Sequence, residues 1–172
     1  LVRKALRNTG GDKPLVVMLE LFAESSLATM MTPDGEYSFR LIHGGDRTMC
    51  QAIKEENNLK DEDAARKLLY SETFDLSDMG PTLIRPLLRE LSSISGYYEV
   101  TKGQSIGYLY VPTLPPSQNW IVELLAQSMG VEVLRIDPQW AAKESGVTIS
   151  SNVKIDVSDA RLPAVIALMG KM

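Results

Sequence analysis

Few residues in this chain have the type and spacing that chemistry needs. Gly44-Gly45-Asp46 stands between an apolar run and a helical pattern, where backbone N–H groups at a helix start can receive an anion. The same three residues also make an ordinary tight turn with Asp46 as helix cap. Glu20 closes another apolar run and is followed by Ala23, Glu24, Ser25 and Ser26. Sheet enzymes often place a metal-binding carboxylate and phosphate-binding hydroxyls at such a corner, but a plain turn between two strands explains these residues equally. Ser25 or Ser26 as a nucleophile needs a positioned base. The one histidine, His43, closes a different run with no carboxylate at suggestive spacing, so nucleophilic catalysis is not expected.

Other familiar constellations are missing. No Gly-rich loop ends in Lys-Ser or Lys-Thr, and no Gly-x-Gly-x-x-Gly occurs. One cysteine and one histidine give no cluster of metal-ligand spacing and no internal disulfide, which fits a reducing compartment. Cys50 falls on the apolar side of its helix and reads as a small core hydrophobe. Glu55, Glu56, Asp61, Glu62 and Asp63 alternate with Lys54, Lys60, Arg66 and Lys67 as a solvated helical face does. Tyr97, Tyr98, Tyr108 and Tyr110 are read as core and strand-face residues, because the basic cluster Arg3-Lys4-Arg7 lies at the far end of the sequence.

Composition supports this restraint. With 172 residues, 44% of them hydrophobic, the chain can fill one domain core. Eighteen basic residues against 22 acidic ones give a net charge of -4, so nucleic acid is not an expected partner. The longest purely apolar stretches, residues 15 to 19 and 164 to 169, fall far short of the roughly 18 to 20 residues a spanning helix requires. Leu1 opens what reads as the end of a helix, and the expectation is a piece of a longer protein.

The elements that must position these residues follow from periodicity. The first helix should stop at Asn8-Thr9-Gly10-Gly11. Residues 15 to 19, between Pro14 and Glu20, read as a strand buried on both faces, and residues 26 to 31 and 36 to 42 as two more, joined by Thr32-Pro33-Asp34-Gly35. Met49, Cys50 and Ile53 mark one helix; a second should start at Asp61, with Ala64, Ala65, Leu68 and Leu69 inward. Ile84, Leu87, Leu88, Leu91, Ile94 and Tyr98 mark a long one, which Pro86 should kink or delay. A strand at 106 to 111 leads to a helix capped by Ser117 with Trp120, Ile121, Leu124, Leu125 and Met129 on one side. Residues 131 to 136 should form a short strand, 137 to 158 stay unassigned beyond one turn at Trp140-Ala141-Ala142, and 162 to 169 form a short buried helix. The fold class is therefore α/β: a mixed five-strand sheet, three antiparallel strands then two parallel, with helices on both faces and a helical insertion.

The order of elements and several phrases resemble the second half of an actin-like ATPase of the PilM group, which serves type IV pilus assembly. They are Ile42-His43-Gly44-Gly45-Asp46-Arg47-Thr48, Leu88-Arg89-Glu90-Leu91 with Ser95 and Tyr97-Tyr98, residues 106 to 111, and the helix over 164 to 168. The resemblance covers roughly 15 to 169 and implies a ribonuclease H-like, actin-like half-domain over 13 to 172. It also implies an interdomain helix ending within 1 to 12 and a helical insertion over about 46 to 100.

The departures from that family bear on function. Where relatives have an Asp and a Gly-containing phosphate loop, this chain has Glu20-Leu21-Phe22-Ala23-Glu24-Ser25-Ser26. Without glycine the backbone approaches a phosphate poorly, and Glu24 repels it. Where relatives carry a Gly-rich turn packed on the base, it has Val111-Pro112-Thr113-Leu114-Pro115-Pro116. The Glu and Lys that relatives use near the ribose align with Ala65 and Leu68. Glu20, Ser25, Ser26, Gly44, Gly45 and Asp46 are thus expected to be vestigial nucleotide-facing positions, with no catalytic or metal-binding residue. No cofactor is expected, although the intact parent protein remains open to ATP and Mg. The resemblance implies a non-catalytic cytoplasmic scaffold, peripheral to the inner membrane, docking on PilN-like assembly proteins, and leaves a homo-oligomer open. An ATP-binding switch and one half of a sugar-kinase-like enzyme are the alternatives.

Overall fold

The computed structural model of the chain describes residues 1–9 and 15–170. The expected stop at Gly10-Gly11, and Pro14 ahead of the first strand, lie outside the described residues. A first helix, α1 (Val2–Asn8), precedes a meander of β1 (Leu15–Leu21), β2 (Ser25–Met31) and β3 (Tyr37–His43). Three helices follow, α2 (Asp46–Glu56), α3 (Glu62–Leu69) and α4 (Gly80–Lys102), then β4 (Ile106–Tyr110), α5 (Asn119–Met129), β5 (Glu132–Val133), α6 (Pro138–Ser145) and α7 (Leu162–Met169). The sheet order is β3-β2-β1-β4-β5. β1 pairs antiparallel with β2 and parallel with β4, β2 antiparallel with β3, and β4 parallel with β5, as the sequence predicts.

Alternation along β1 explains its place at the centre. Leu15, Val17, Leu19 and Leu21 enter one core together with Met49, Cys50 and Ile53 of α2, Ala65 and Leu69 of α3, and the inward stripes of α4 and α5. Val16 faces the opposite way, into a second core with Leu6 of α1, Tyr110, Ala141 and Ala142 of α6, and Ile166 of α7. A strand with helices packed on both sides has no polar face to show, which is why residues 15 to 19 are uninterruptedly apolar. Asp61 caps α3 as expected, accepting the Ala64 N–H at 2.8 Å. Asp137 caps α6 likewise, from Trp140 N at 2.7 Å, and makes the first part of the unassigned stretch a two-turn helix, Pro138–Ser145.

Several expectations are corrected. α4 starts at Gly80 and runs through Pro86, whose missing N–H frees the Thr82 carbonyl on an exposed side of the helix, where water can meet it. Its inward stripe uses Leu83, while Leu88 sits only half-buried at the margin. Tyr97 is 47% exposed rather than core. Ser117 does not cap α5, because a 3-10 turn over Pro116–Gln118 leads directly into the helix. β5 is reduced to two residues. α7 buries only Pro163 and Ile166 and leaves Val165, Leu168 and Met169 exposed, so an apolar composition did not mean a buried helix.

Candidate functional site

The six positions singled out in the sequence do come together at one end of the sheet, where β1 ends, β2 begins, β3 ends and α2 starts. The register sets Glu20 opposite Leu27, Leu21 opposite Ser26 and Ser25 opposite His43. Glu20 and Ser25, both half-buried, lie on the α1/α6/α7 side of the sheet. Ser26 lies on the other side, fully buried.

What they form is a closed corner. The Phe22–Ser25 turn is pinned by Phe22 N donating to Ser25 O at 3.0 Å, and its carbonyls point at the start of α2. Asp46 N donates to Phe22 O at 2.9 Å, Arg47 N to Ala23 O at 3.1 Å, Gly44 N to Glu24 O at 3.3 Å, and Thr48 N to Gly45 O at 3.2 Å. Four of the five amides from Gly44 to Thr48, the donors an anion would need, are therefore committed to main-chain carbonyls. The Ser26 hydroxyl is committed too, donating to Gly44 O at 2.7 Å. The two glycines serve different ends. Gly44 has φ +123°, a conformation side chains rarely adopt, whereas Gly45 is extended and needs only space, since a Cβ there would stand 1.9 Å from Phe22 O.

Asp46 does not cap α2, whose cap position is Gly45. Its carboxylate turns toward α3, accepting from the Tyr70 hydroxyl at 3.0 Å and from Arg66 at 3.4 Å, while its other oxygen, Oδ1, is buried without a partner. Burial first and the Asp46 charge second push the Tyr70 hydroxyl up to about 12, and burial raises the Cys50 thiol. Arg47 reaches back to Glu24 of the turn and across to Glu62 of α3, and Arg66 closes the ring by pairing with Glu62 at 3.1 Å. Both guanidinium groups are held further above their ordinary range, Arg47 mainly by Glu24 and Arg66 mainly by Asp46. With Glu20 near the same corner, the charge there is net negative, which disfavours a phosphate.

The loop after β4 closes the site from the other side. Thr113 Oγ1 accepts the Leu21 N–H at 2.9 Å, Val111 and Leu114 are buried, and Gln118, wholly buried, donates to Leu69 O at 2.5 Å with its Oε1 left without a partner. Ala65 is completely buried and Leu68 packs on the same core, so both positions aligned with ribose contacts face protein. Among the described residues no group of three His, Cys, Asp or Glu is placed to hold a metal ion. These donors fit a Mg-nucleotide poorly: four of the five amides are spent, the Ser26 hydroxyl is turned to a carbonyl, and the carboxylates of Glu24, Asp46 and Glu62 are paired with arginine or tyrosine. The sequence reading missed Arg47, Arg66, Tyr70, Thr113 and Gln118, whose roles depend on residues far away in the chain.

No family profile and no curated protein matches the sequence. Solved structures do match its shape. A structure described as the PilM-PilN type IV pilus biogenesis complex superposes with a TM-score of 0.63 at 19% identity, covering 99% of this chain and 48% of that one. The fold is actin-like. An archaeal actin homolog in complex with ADP agrees, with a TM-score of 0.55 at 13% identity over 96% of this chain and 54% of its own. The same homolog without the ADP description gives 0.53 at 12% identity. The chain spans about half the length of the solved chains it matches. In this fold the main-chain bonds of the corner tie the β1–β2 turn and the end of β3 to the start of α2.

Proposed function

We propose that this actin-like domain is a non-catalytic scaffold of a type IV pilus or related secretion assembly, acting on the cytoplasmic side of the inner membrane through PilN-like partners. The observation that carries the non-catalytic part is the commitment of the Gly44, Asp46, Arg47 and Thr48 amides to carbonyls, four of them in one corner. The assembly part rests on the likeness in shape to the PilM-PilN complex together with the Gly-Gly-Asp and Arg-Glu phrases. No helix among the described residues is long and apolar enough to cross a membrane, which suits attachment through partners.

The test is turnover. The full protein that contains these residues, incubated with Mg-ATP, is expected to release phosphate no faster than a buffer blank. Hydrolysis abolished by Glu20→Gln or Ser25→Ala would overturn the reading and give Glu20 and Ser25 a catalytic role that the sequence does not lead one to expect. A second assay, capture of the full protein by the cytoplasmic tail of a PilN-like protein from the same genome, tests the partner; no capture in either direction would remove the pilus assignment and leave the fold.

A further inference from the structure

β3 is the outer strand of the sheet, and its far edge carries no strand among the described residues. The ladder tells which of its peptide groups are free. At one end Thr32 N donates to Glu36 O at 2.9 Å and at the other Gly44 N donates to Glu24 O at 3.3 Å. Both contacts continue the register that pairs Ser38 with Met30, Arg40 with Ala28 and Ile42 with Ser26. In an antiparallel ladder the inward-bonding residues alternate, so residues 36, 38, 40, 42 and 44 bond to β2, while Tyr37, Phe39, Leu41 and His43 aim their N–H and C=O groups outward.

Natural proteins blunt such an edge with proline, inward charges, bulges or shortness. This one is seven residues long, has no proline, and pairs in continuous register. It is bordered instead by exposed apolar side chains on both sides of the sheet. Tyr37 is 71%, Phe39 68% and Leu41 63% exposed on the α1/α6/α7 side, and Tyr97 of α4, half open, lies beside Arg40 on the other. Arg40, also exposed, lies over the Tyr97 ring at 5.2 Å and has no carboxylate partner among the described residues.

We infer that this edge is an isologous interface at which β3 pairs antiparallel with β3 of a second copy of the chain, the two-fold axis passing at Phe39. The edge is self-complementary in that register. Phe39 meets its own copy, Tyr37 lies opposite Leu41, and the outward N–H and C=O groups of all three find partners. On the α4 side Arg40 falls opposite Ser38 and diagonal to Glu36 of the other copy, within reach of a long side chain, so the unpaired cation acquires a carboxylate. Moving the axis to residue 40 would set the two Arg40 groups face to face, a like-charge contact that disfavours that alternative. The inference needs only the fold and this edge, and stands whether or not the scaffold reading holds.

The experiment is sedimentation velocity on the full protein across a dilution series, with thermal unfolding as a fold control. The wild type is expected to dimerise, and Phe39→Lys to raise the dissociation constant about tenfold or more, because symmetry places each substitution twice in the interface. Arg40→Glu and Glu36→Arg should each weaken the dimer and the double swap restore it. Phe39→Lys and both charge variants alter exposed side chains, so folded protein is expected throughout. A wild type that stays monomeric at every concentration, a dimer indifferent to Phe39→Lys, or single charge variants that the double swap does not rescue would each overturn the inference.

Discussion

Gly45→Ala is the most informative single substitution in this molecule. The backbone at Gly45 is extended, so alanine meets no conformational barrier there, and the whole effect is steric. A Cβ would lie 1.9 Å from Phe22 O and 2.7 Å from Ala23 O, the very oxygens that accept from Asp46 N and Arg47 N. Both are backbone atoms, so the turn itself must back away from α2, and the two hydrogen bonds break together. Two such bonds contribute about 0.5 to 1.5 kcal/mol each and overpacking costs about 1 to 3 kcal/mol, giving a loss of about 2 to 6 kcal/mol. For a chain of this size, at about 2 to 4 °C per kcal/mol, that lowers Tm by roughly 4 to 24 °C. Urea unfolding followed by circular dichroism reads the free energy and differential scanning fluorimetry the melting shift. A Gly45→Ala protein within about 0.5 kcal/mol of wild type, the range of an innocuous surface change, would refute the reasoning. It would mean that the turn does not sit on the helix start and that the amides are free.

Gly44→Ala tests the companion claim: with φ +123° and no close neighbour but Thr48 Oγ1 at 3.5 Å, its cost is conformational, about 1 to 3 kcal/mol in the same urea assay, and Gly44→Asn should fare no better, because asparagine is tolerated near φ of about +57° and not this far beyond it. Leu91→Ala and Leu125→Ala, both fully buried, should each lose about 2 to 5 kcal/mol, with half-buried Leu88→Ala well below them; an equal or larger loss at Leu88 would reverse the assigned face of α4. The Tyr110 hydroxyl donates to Ala160 O at 2.8 Å, and burial pushes its pKa up to about 12 from an ordinary 10. Its contribution, like that of Tyr70, is therefore complete below pH 10 and lost as pH rises toward 12, because the unfolded chain gives up its phenolic protons first. Tyr110→Phe should flatten that alkaline decline in urea unfolding at several pH values, and an unchanged slope would contradict the assignment.

How much of this was legible in the sequence depends on range. The uninterrupted apolar run of β1, the Met49-Cys50-Ile53 face of α2 and the Asp61 cap of α3 are decided by neighbours within a few residues, and each folds as its pattern says. The five-strand order follows from those elements because connection lengths allow few alternatives. Bringing Glu20, Ser25, Ser26, Gly44, Gly45 and Asp46 to one corner was legible for the same reason. Their state was not. Thr113 holding Leu21, 92 positions away, Gln118 reaching the Leu69 carbonyl and Arg47 gripping Glu24 are meetings that no local pattern encodes. Asp46 illustrates the limit best: its type and place say helix cap, but Tyr70 and Arg66 offer its carboxylate a stronger set of donors. α7 shows a different failure, since Val165 and Leu168 register as apolar surface whether or not anything covers it.

The proposal that this corner does not serve a nucleotide is tested most directly by titrating the full protein with Mg-ATP in a calorimeter while following its thermal unfolding. A bound ligand at about 100 times its dissociation constant adds about 2.7 kcal/mol of apparent stability, a shift of several degrees. The closed corner predicts no saturable heat and no rise in Tm. Saturating heat with a matching rise would contradict it and make nucleotide a structural ligand or switch of this domain.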